Sequence, residues 1–391
     1  MALSNPSGAT HPLHTPELFT RENIHTLQFP PTADGDYARC YLIPMMTDDP
    51  QKYIRNIHNT QLMAVKIDDV ILPITITDFH PQNTYTVSPY SHYVSYGGLE
   101  EVKHLNSSLA EVAVKAVMKP VGWYFRYSEL DKVVFVNNYL LSTNLYPSVN
   151  SDQLSAVSEA LIRQFPDRAI IFRSVDQKKN THVYQTLEEL GYDLVLSRQV
   201  WYMEPVAALK TRQCKEDVRV LKKAGYDVVS GKDLSDDELH RAVQLYELLY
   251  LQKYSYYNPQ FTFEFLKLAR GEETLHMYGL KKDGQLNAIM GFFVRNGAMT
   301  QPLFGYDTSL PLEEGLYRLL TLVTLQEGVK RGLLVHASGG VGKFKKVRGG
   351  ESVTEYNAVY TKHLPRKRQL PWKLIGAVSR AAIPYFKKMD F

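Results

Sequence analysis

Cysteine is nearly missing from this chain: Cys40 and Cys214, far apart, are the only two in 391 residues. That excludes a disulfide-stapled scaffold and a cysteine-based metal knuckle, and it fits a reducing compartment. Long apolar runs are missing as well. No uninterrupted run of about 18 apolar residues occurs, so no segment reads as a membrane-spanning helix. The start, MALSNPSGATHPLH, is polar and carries prolines, without the apolar centre of a signal peptide. Charge of one sign is scarce too: 45 Lys and Arg face 41 Asp and Glu, and a net +4 does not by itself argue for nucleic acid. These absences predict a cytoplasmic protein. What the chain has in quantity is tyrosine, 26 in all, whose flat faces and hydroxyl tips suit cores and substrate-lined clefts alike.

The chain is longer than one hydrophobic core usually serves, which predicts two domains. Residues 1–60 read as a leader with one or two short elements. Strand signals begin at Leu62–Ile67 and Val70–Thr77, joined at Asp68-Asp69 as a hairpin. The segment Tyr85–Gly98 is either a core strand with a turn or the lip of a pocket. Leu105–Lys119 reads as a helix and Lys132–Asn137 as a strand. A polar loop then leads to a helix at Asp152–Gln164, capped by Asn150 or Ser151, a buried strand Ala169–Val175, a helix Thr181–Leu190 closed by Gly191, and a strand Leu194–Met203. Val206–Gly225, rich in Lys and Arg, reads as a linker helix with a solvated face.

The second part repeats this order. Asp236–Leu251 is helical, with Ser235 and Glu238 spaced as a capping box. Asn258-Pro259 breaks that helix and Phe261–Ala269 resumes it. Leu275–Lys281, Gln285–Val294 and Met299–Tyr306 form a meander turning at Asp283-Gly284 and Asn296-Gly297. A helix Glu313–Lys330 ends on Gly332, then a strand Leu333–His336, a basic turn and a strand Tyr356–Tyr360. The expected fold class is α/β, two tandem units with mixed, mainly antiparallel sheets and a C-terminal amphipathic helix. The expected boundaries are 61–205, a linker 206–230, 231–363 and a tail 364–391.

The most informative stretch is Leu333–His363. Gly339-Gly340 and Gly349-Gly350 flank a basic turn in which Lys343, Lys345 and Lys346 surround Phe344. Together with Phe304-Gly305-Tyr306-Asp307, Pro311 and Leu316-Tyr317, the spacing Gly342-x-Phe344-Lys345-x-x-x-Gly349 resembles the GNAT acyltransferase superfamily, and within it the tandem, FemABX-like branch. The likeness is clear over Asp236–Pro365 and architectural over residues 60–205. It implies that Phe344 and Lys345 lie near the acyl-transfer centre, with Lys345 steadying negative charge on the acyl donor or intermediate and Lys343 as its rival. One departure stands out. Where that superfamily grips the coenzyme A pyrophosphate, this chain reads DTSLPLEEGLY, and Glu313 and Glu314 oppose a phosphate. The loop Ser142-Thr143-Asn144 to Ser148 is another phosphate grip or simply a capped helix start.

Amine acylation needs a positioned carbonyl and a route for the proton. His336 is a candidate base or a hydrogen-bonded structural residue. Tyr306 can donate to an oxyanion or pack, and Asp307 can act beside it or cap its turn. Tyr254, Ser255 and Asn258 sit where the resemblance places the acceptor, or they pack. Arg173 and Arg198 suit a substrate carboxylate or phosphate, or an internal acid. The tail carries Arg366, Lys367, Arg368, Lys373, Arg380, Lys387 and Lys388, and at helical spacing Trp372, Leu374, Ile375, Val378, Ala382 and Ile383 fall on one side with Lys373 and Arg380 on the other. Pro371 suits its start and Pro384 its end. It reads either as a membrane-surface helix, which would make the protein peripheral on the inner face of the membrane, or as a helix docked on the body. The expectation is an N-acyltransferase carrying an acyl group from acyl-CoA or acyl carrier protein, as co-substrate, to an amine, with a lipid or lipid precursor among the candidate acceptors. It needs no permanently bound cofactor and no metal. The alternatives are an aminoacyl-tRNA-dependent transferase of the FemABX type, or a non-catalytic binding protein that keeps the fold.

Overall fold

Local signals fix most element ends where the sequence puts them. Asn150 and Ser235 each form a full capping box, with Gln153 and Glu238 reaching back. Asp283-Gly284 and Asn296-Gly297 are left-handed at both central residues, which matches the twist of a two-residue hairpin. The computed structural model describes residues 14–100 and 108–386. Its first half holds β1 (Glu17–Phe19), α1 (Ala33–Thr47), β2 (Thr60–Ile67), β3 (Val70–Thr77), a π-helical stretch Ser91–Glu100, α2 (Ser108–Tyr127), β4 (Val133–Val136), α3 (Ser151–Gln164), β5 (Ala169–Asp176), α4 (Thr181–Glu189) and β6 (Asp193–Met203). Two helices, α5 (Pro205–Leu209) and α6 (Arg212–Ala224), lead to the second half. That half holds β7 (Asp227–Ser230), α7 (Asp236–Tyr246), a second π-helical stretch Glu247–Tyr254, α8 (Phe263–Gly271), β8 (His276–Lys282), β9 (Gln285–Arg295), β10 (Ala298–Tyr306), α9 (Leu316–Arg331), β11 (Leu334–His336), α10 (Gly342–Lys346), β12 (Gly350–Tyr360) and α11 (Arg366–Phe386).

All twelve strands of the described residues join one sheet, in the order β1-β2-β3-β4-β5-β12-β6-β11-β10-β9-β8-β7. Pairing is antiparallel except at β4–β5 and β10–β11, one parallel junction in each half. The mixed, mainly antiparallel α/β architecture expected from the sequence is thus present. The halves do not carry separate sheets, however. β12 inserts between β5 and β6, while β6 pairs on its other side with β11. Each half therefore gives its last strand to the other, and the order reads the same from either end: five strands, the partner's last strand, then the half's own.

Residues 14–60, expected as a leader, are built into this body. Tyr41, Leu42 and Met45 of α1 are fully buried, and Asp34 pairs with Arg295 of β9 at 2.9 Å. The start of the leader, residues 1–13, lies outside the described residues, as does the beginning of the helix expected from Leu105. In α6 the charge run faces solvent as expected, but Cys214 and Asp217, one turn apart, point inward.

The tail helix departs from expectation at both ends. It begins at Arg366 and contains Pro371, because the Arg368 guanidinium reaches back to the carbonyl of Lys132 (3.0 Å) and holds the first turn on the body. It runs past Pro384 to Phe386. Trp372 and Ile375 dock inward, Trp372 edge-on to Tyr93 with ring centroids 6.1 Å apart, whereas Leu374 and Val378, expected on the same side, face solvent, so the expected single apolar side is split between the body and the surface. Lys387 and Lys388 lie outside the described residues.

Candidate active site

The two parallel junctions are treated differently. β4 stops at Val136 while β5 runs on to Asp176, and the gap is filled by the loop after β4. Asn138 donates to Thr75 Oγ1 (2.9 Å) and the Thr86 carbonyl (3.0 Å), and Arg173 donates to Asn138 Oδ1 (2.7 Å) and the Leu141 carbonyl (3.2 Å). Thr143 and Asn144 are buried. The loop expected as a phosphate grip is a plug, and Arg173, 5 % exposed, holds it in place rather than facing a substrate.

At the second junction the pairing of β10 with β11 ends at Thr300–His336, and β10 continues alone beside β9 to Tyr306. Here the chain turns through Ala337–Gly340, with Ser338 and Gly340 left-handed, into α10. Lys345 of α10 lies beneath this turn. Its ammonium donates to the carbonyls of Ala337 (2.6 Å), Ser338 (3.1 Å) and Gly339 (2.8 Å). An ammonium has three N–H donors, and the three carbonyls take one each. Burial and the Arg198 charge pull its pKa down to about 7, while the three carbonyls favour the charged form. This corrects the expected role: Lys345 faces the turn, not a cleft, and has no proton left for an incoming oxyanion. It fixes the turn instead.

The rest of the motif acts as a clamp. Phe344 meets Tyr317 of α9 edge-on (4.8 Å) and has the Arg348 guanidinium 3.6 Å from its ring centre. Arg348 in turn donates to both carboxylate oxygens of Asp217 (2.8 and 3.2 Å), which also takes Arg318 Nε at 2.7 Å. α6, α9 and α10 are locked through one buried aspartate. Lys343 and Lys346 are exposed on the outside of α10.

Where β6, β11 and β12 meet, the buried Glu355 and His336 form a polar cluster with the partly exposed Arg198. Arg198 of β6 pairs with Glu355 of β12 (2.9 Å), bonds Thr143 Oγ1 (2.5 Å), and reaches Ser338 Oγ of the turn (3.3 Å). Arg198 thus has the internal acid that the sequence left open. Burial would push the Glu355 carboxyl up, but Arg198 outweighs it and holds the group below its usual range. His336 is 1 % exposed. Its Nδ1 accepts the Ser338 N–H at 3.2 Å, which leaves the proton on Nε2; that atom has no hydrogen-bond partner and lies 3.9 Å from Glu355 Oε2. Burial drives the imidazole pKa down to about 4, despite Glu355.

Tyrosines surround the cluster on one side. Tyr246, Tyr250 and Tyr254, at successive turns, stack at 4.8 and 5.9 Å along the end of α7 and the second π-helical stretch. Tyr306 and Tyr317 adjoin them, their ring centres 6.4 Å apart. From the first π-helical stretch and the segment before it come Tyr96 and Tyr85, 5.3 Å apart and within electrostatic reach of Arg198. Tyr254, 42 % exposed, brings this group to the surface. Gly305 makes the arrangement possible: a Cβ there would sit 2.5 Å from the Tyr246 backbone nitrogen, so only glycine lets α7 lie on β10.

Of the residues expected at the site, Tyr254, Tyr306, Phe344, His336 and Arg198 gather around the β10–β11 junction. Ser255 and Asn258 are buried below it, Asn258 donating to the carbonyls of Tyr250 and Ser255 (both 3.1 Å), and they shape the turn. Asp307 caps its own turn through Ser309 (3.0 Å) and pairs with Arg241 (2.5 Å). Glu355, Tyr250 and Asp217 escape sequence reasoning. Tyr250 was legible in the four-residue spacing of the tyrosines; Glu355 was not, because one acid in a strand of alternating polarity reads as exposed. Among the described residues no cluster of three or more His, Cys, Asp or Glu is arranged to hold a metal.

The His336 geometry makes a pH prediction. A histidine held below its ordinary pKa binds fewer protons folded than unfolded between about pH 4 and 6.5, so its contribution to stability rises with pH through that window. The shift corresponds to roughly 3 kcal/mol. Urea melts of wild type and His336→Asn across this range are expected to show a steeper rise for wild type; parallel curves would contradict a neutral, buried imidazole.

No family model matches the sequence, and no curated protein matches it. Solved structures do match. FemX aligns over 81 % of this chain and 90 % of its own, at 10 % identity and a TM-score of 0.49. A tandem GNAT protein from the clavulanic acid biosynthesis pathway aligns over 88 % and 98 %, at 12 % identity and 0.39. L-PGS from Bacillus licheniformis aligns over 59 % and 76 %, at 14 % and 0.43. The topology itself is two tandem units of like strand order, each with one parallel junction followed by an exchanged last strand.

Proposed function

We infer that this protein is a transferase that moves an acyl or aminoacyl group from a carrier to an amine at the β10–β11 junction. The observation that carries this reading is the cluster of buried Glu355, His336 and Lys345 at the sheet centre, with the partly exposed Arg198 side chain, 20 % accessible, reaching into it. Burying so many titratable groups opposes folding, and apolar residues would pack there at less cost. Such clusters concentrate at functional sites. The tyrosine faces beside it, all held in the neutral phenol form by burial, suit an amine that arrives as an ammonium. The ammonium first releases one proton to bulk water; the neutral amine nitrogen then bonds to the donor carbonyl carbon, the bond from that carbon to the carrier oxygen or sulfur breaks, and a second amine proton passes by way of Tyr254 or Tyr306 to the leaving atom. Lys345 holds the turn against which the carbonyl lies.

One observation favours aminoacyl-tRNA as the donor over acyl-CoA or acyl carrier protein. The start of α9, where a pyrophosphate would bind, is closed: Glu314 pairs with Lys282 (3.1 Å), and Val220 of α6 would lie 3.7 Å from a Cβ at Gly315. Beside it Arg212, Lys215, Arg219, Lys222 and Lys223 line the exposed side of α6, a surface suited to a polyanion.

The test is transfer of labelled acyl groups from charged tRNA and from acyl thioesters to amine acceptors, by wild type, Tyr254→Phe and Tyr306→Phe. The expected result is transfer that RNase abolishes and salt weakens steeply, with about 10²-fold lower turnover in at least one variant and unchanged melting. Wild-type turnover in both variants would remove the tyrosine cluster from the chemistry, and RNase-resistant transfer from thioesters would reverse the donor assignment.

A further inference from the structure

With Trp372 turned inward, the outer side of α11 carries a different stripe. Leu370, Leu374 and Val378 are 55 %, 43 % and 62 % exposed and fall on successive turns. The stripe starts at Lys367, whose ammonium lies 3.6 Å from the ring centre of Tyr127 on α2. Tyr127 stacks flat on Trp123, with centroids 5.5 Å apart and planes 3° from parallel, and Trp123 is 68 % exposed. A solvent-facing tryptophan and tyrosine are thus continuous with a row of solvent-facing aliphatics. Isolated exposed apolar residues need no explanation, but a contiguous aromatic and aliphatic patch does. Its surroundings are mostly cationic, with Glu129, paired to Arg368 at 3.5 Å, as an exposed acid at one end. Arg366, Lys373 and Arg380 of α11 and Lys119 of α2 are exposed around it, and α11 contains no acidic residue between Arg366 and Phe386.

We propose that α2 and α11 together form a docking face for an anionic membrane surface, with Trp123, Tyr127, Leu374 and Val378 entering the headgroup region and the flanking cations meeting lipid phosphates. The charge complementarity selects this occupant: an anionic bilayer meets both the apolar centre and the predominantly basic edge. The face does not depend on the transferase reading. It is joined to the tyrosine cluster by the π-helical stretch Ser91–Glu100, whose Tyr93 touches Trp372 and whose Tyr96 reaches Arg198, so docking would set the site at a fixed height above the lipid.

The protein supplies its own reporter. Trp201 and Trp372 are 1 % and 3 % exposed, which leaves Trp123 as the solvent-facing indole of the three. The full chain is to be mixed with phosphatidylcholine vesicles with and without phosphatidylglycerol, reading flotation and tryptophan emission. Expected are flotation with the anionic vesicles, loss of it in high salt, and a blue shift that Trp123→Ser abolishes. Leu374→Glu/Val378→Glu and Lys367→Glu/Lys373→Glu should each weaken binding roughly tenfold or more while melting as wild type does. Absence of vesicle binding, equal binding to neutral and anionic vesicles, or binding unchanged in these variants overturns the proposal. So does a dimer in sedimentation equilibrium that Leu374→Glu dissolves, since a second copy would then cover the face.

Discussion

Residues 1–205 expressed alone are expected not to fold. Cutting the chain there leaves β6 without either of its neighbours, since it lies between β12 and β11, and strips β5 of β12. β12 pairs along the whole of β6, from Gly350–Met203 to Val359–Asp193, so a full ladder is lost on one side and the short pairing of Met203 and Tyr202 with β11 on the other. Val195 and Val200 of β6 and Ile170 and Phe172 of β5 are fully buried in the intact protein and would border open edges. Against a typical total stability of about 5–15 kcal/mol this deletion is not survivable. The second half alone fails for the mirrored reason. Both fragments produced together, split between α5 and α6, should reassemble as a one-to-one complex on size-exclusion chromatography with a single cooperative melt. A cooperatively melting monomer of residues 1–205 would show that the exchanged strands are dispensable.

The second large effect concerns Arg198 and Glu355, which face each other in register across the β6–β12 pair. Removing Arg198 leaves the Glu355 carboxylate charged and buried, which costs roughly 3–5 kcal/mol, and removing Glu355 leaves Arg198, partly open to solvent, at the lower end of that range. Arg198→Met and Glu355→Leu are each expected to lower stability in urea melts by those amounts. Changing both restores apolar packing at the centre of the sheet, so the double variant should recover much of the loss while remaining inactive in transfer. Recovery of stability without recovery of activity would separate the pair's chemical role from its structural one. A double variant as unstable as the sum of the singles would mean that the charges do not act on each other.

Much of the fold was legible because its signals are local. Capping boxes at Asn150 and Ser235, closing glycines at Gly191 and Gly332, and hairpin turns at Asp283-Gly284 and Asn296-Gly297 each depend on a few neighbouring residues. The strand exchange was not legible, because nothing within β6 or β12 states which half it will pair with; both are alternating strands that fit either gap. The π-helical stretches escaped for a related reason. Asp236–Leu251 reads as one continuous helix, and the change of pitch after Tyr246 comes from the close approach to Gly305, a contact distant in sequence.

The site was legible by place and less so by role. The Phe344-Lys345 turn pointed to the junction around which Tyr254, Tyr306, His336 and Arg198 gather, yet Lys345 and Arg173 each hold a loop. A cation next to glycines can face substrate or the backbone beneath it, and only the positions of the carbonyls decide. Asp217 was hidden within a run of basic residues, where only the helical phase of Cys214 and Asp217 separates an inward pair from a solvated face.

A ladder that runs unbroken from β1 to β7 also limits how the molecule can move. Proteins assembled from two separate lobes can close on a substrate by bending at the joint between them. Here that joint is three strands hydrogen-bonded on both edges, which opposes bending between the lobes. Turnover is therefore expected to respond to changes at the rim that carries Tyr254 more than to any change in the connecting segment.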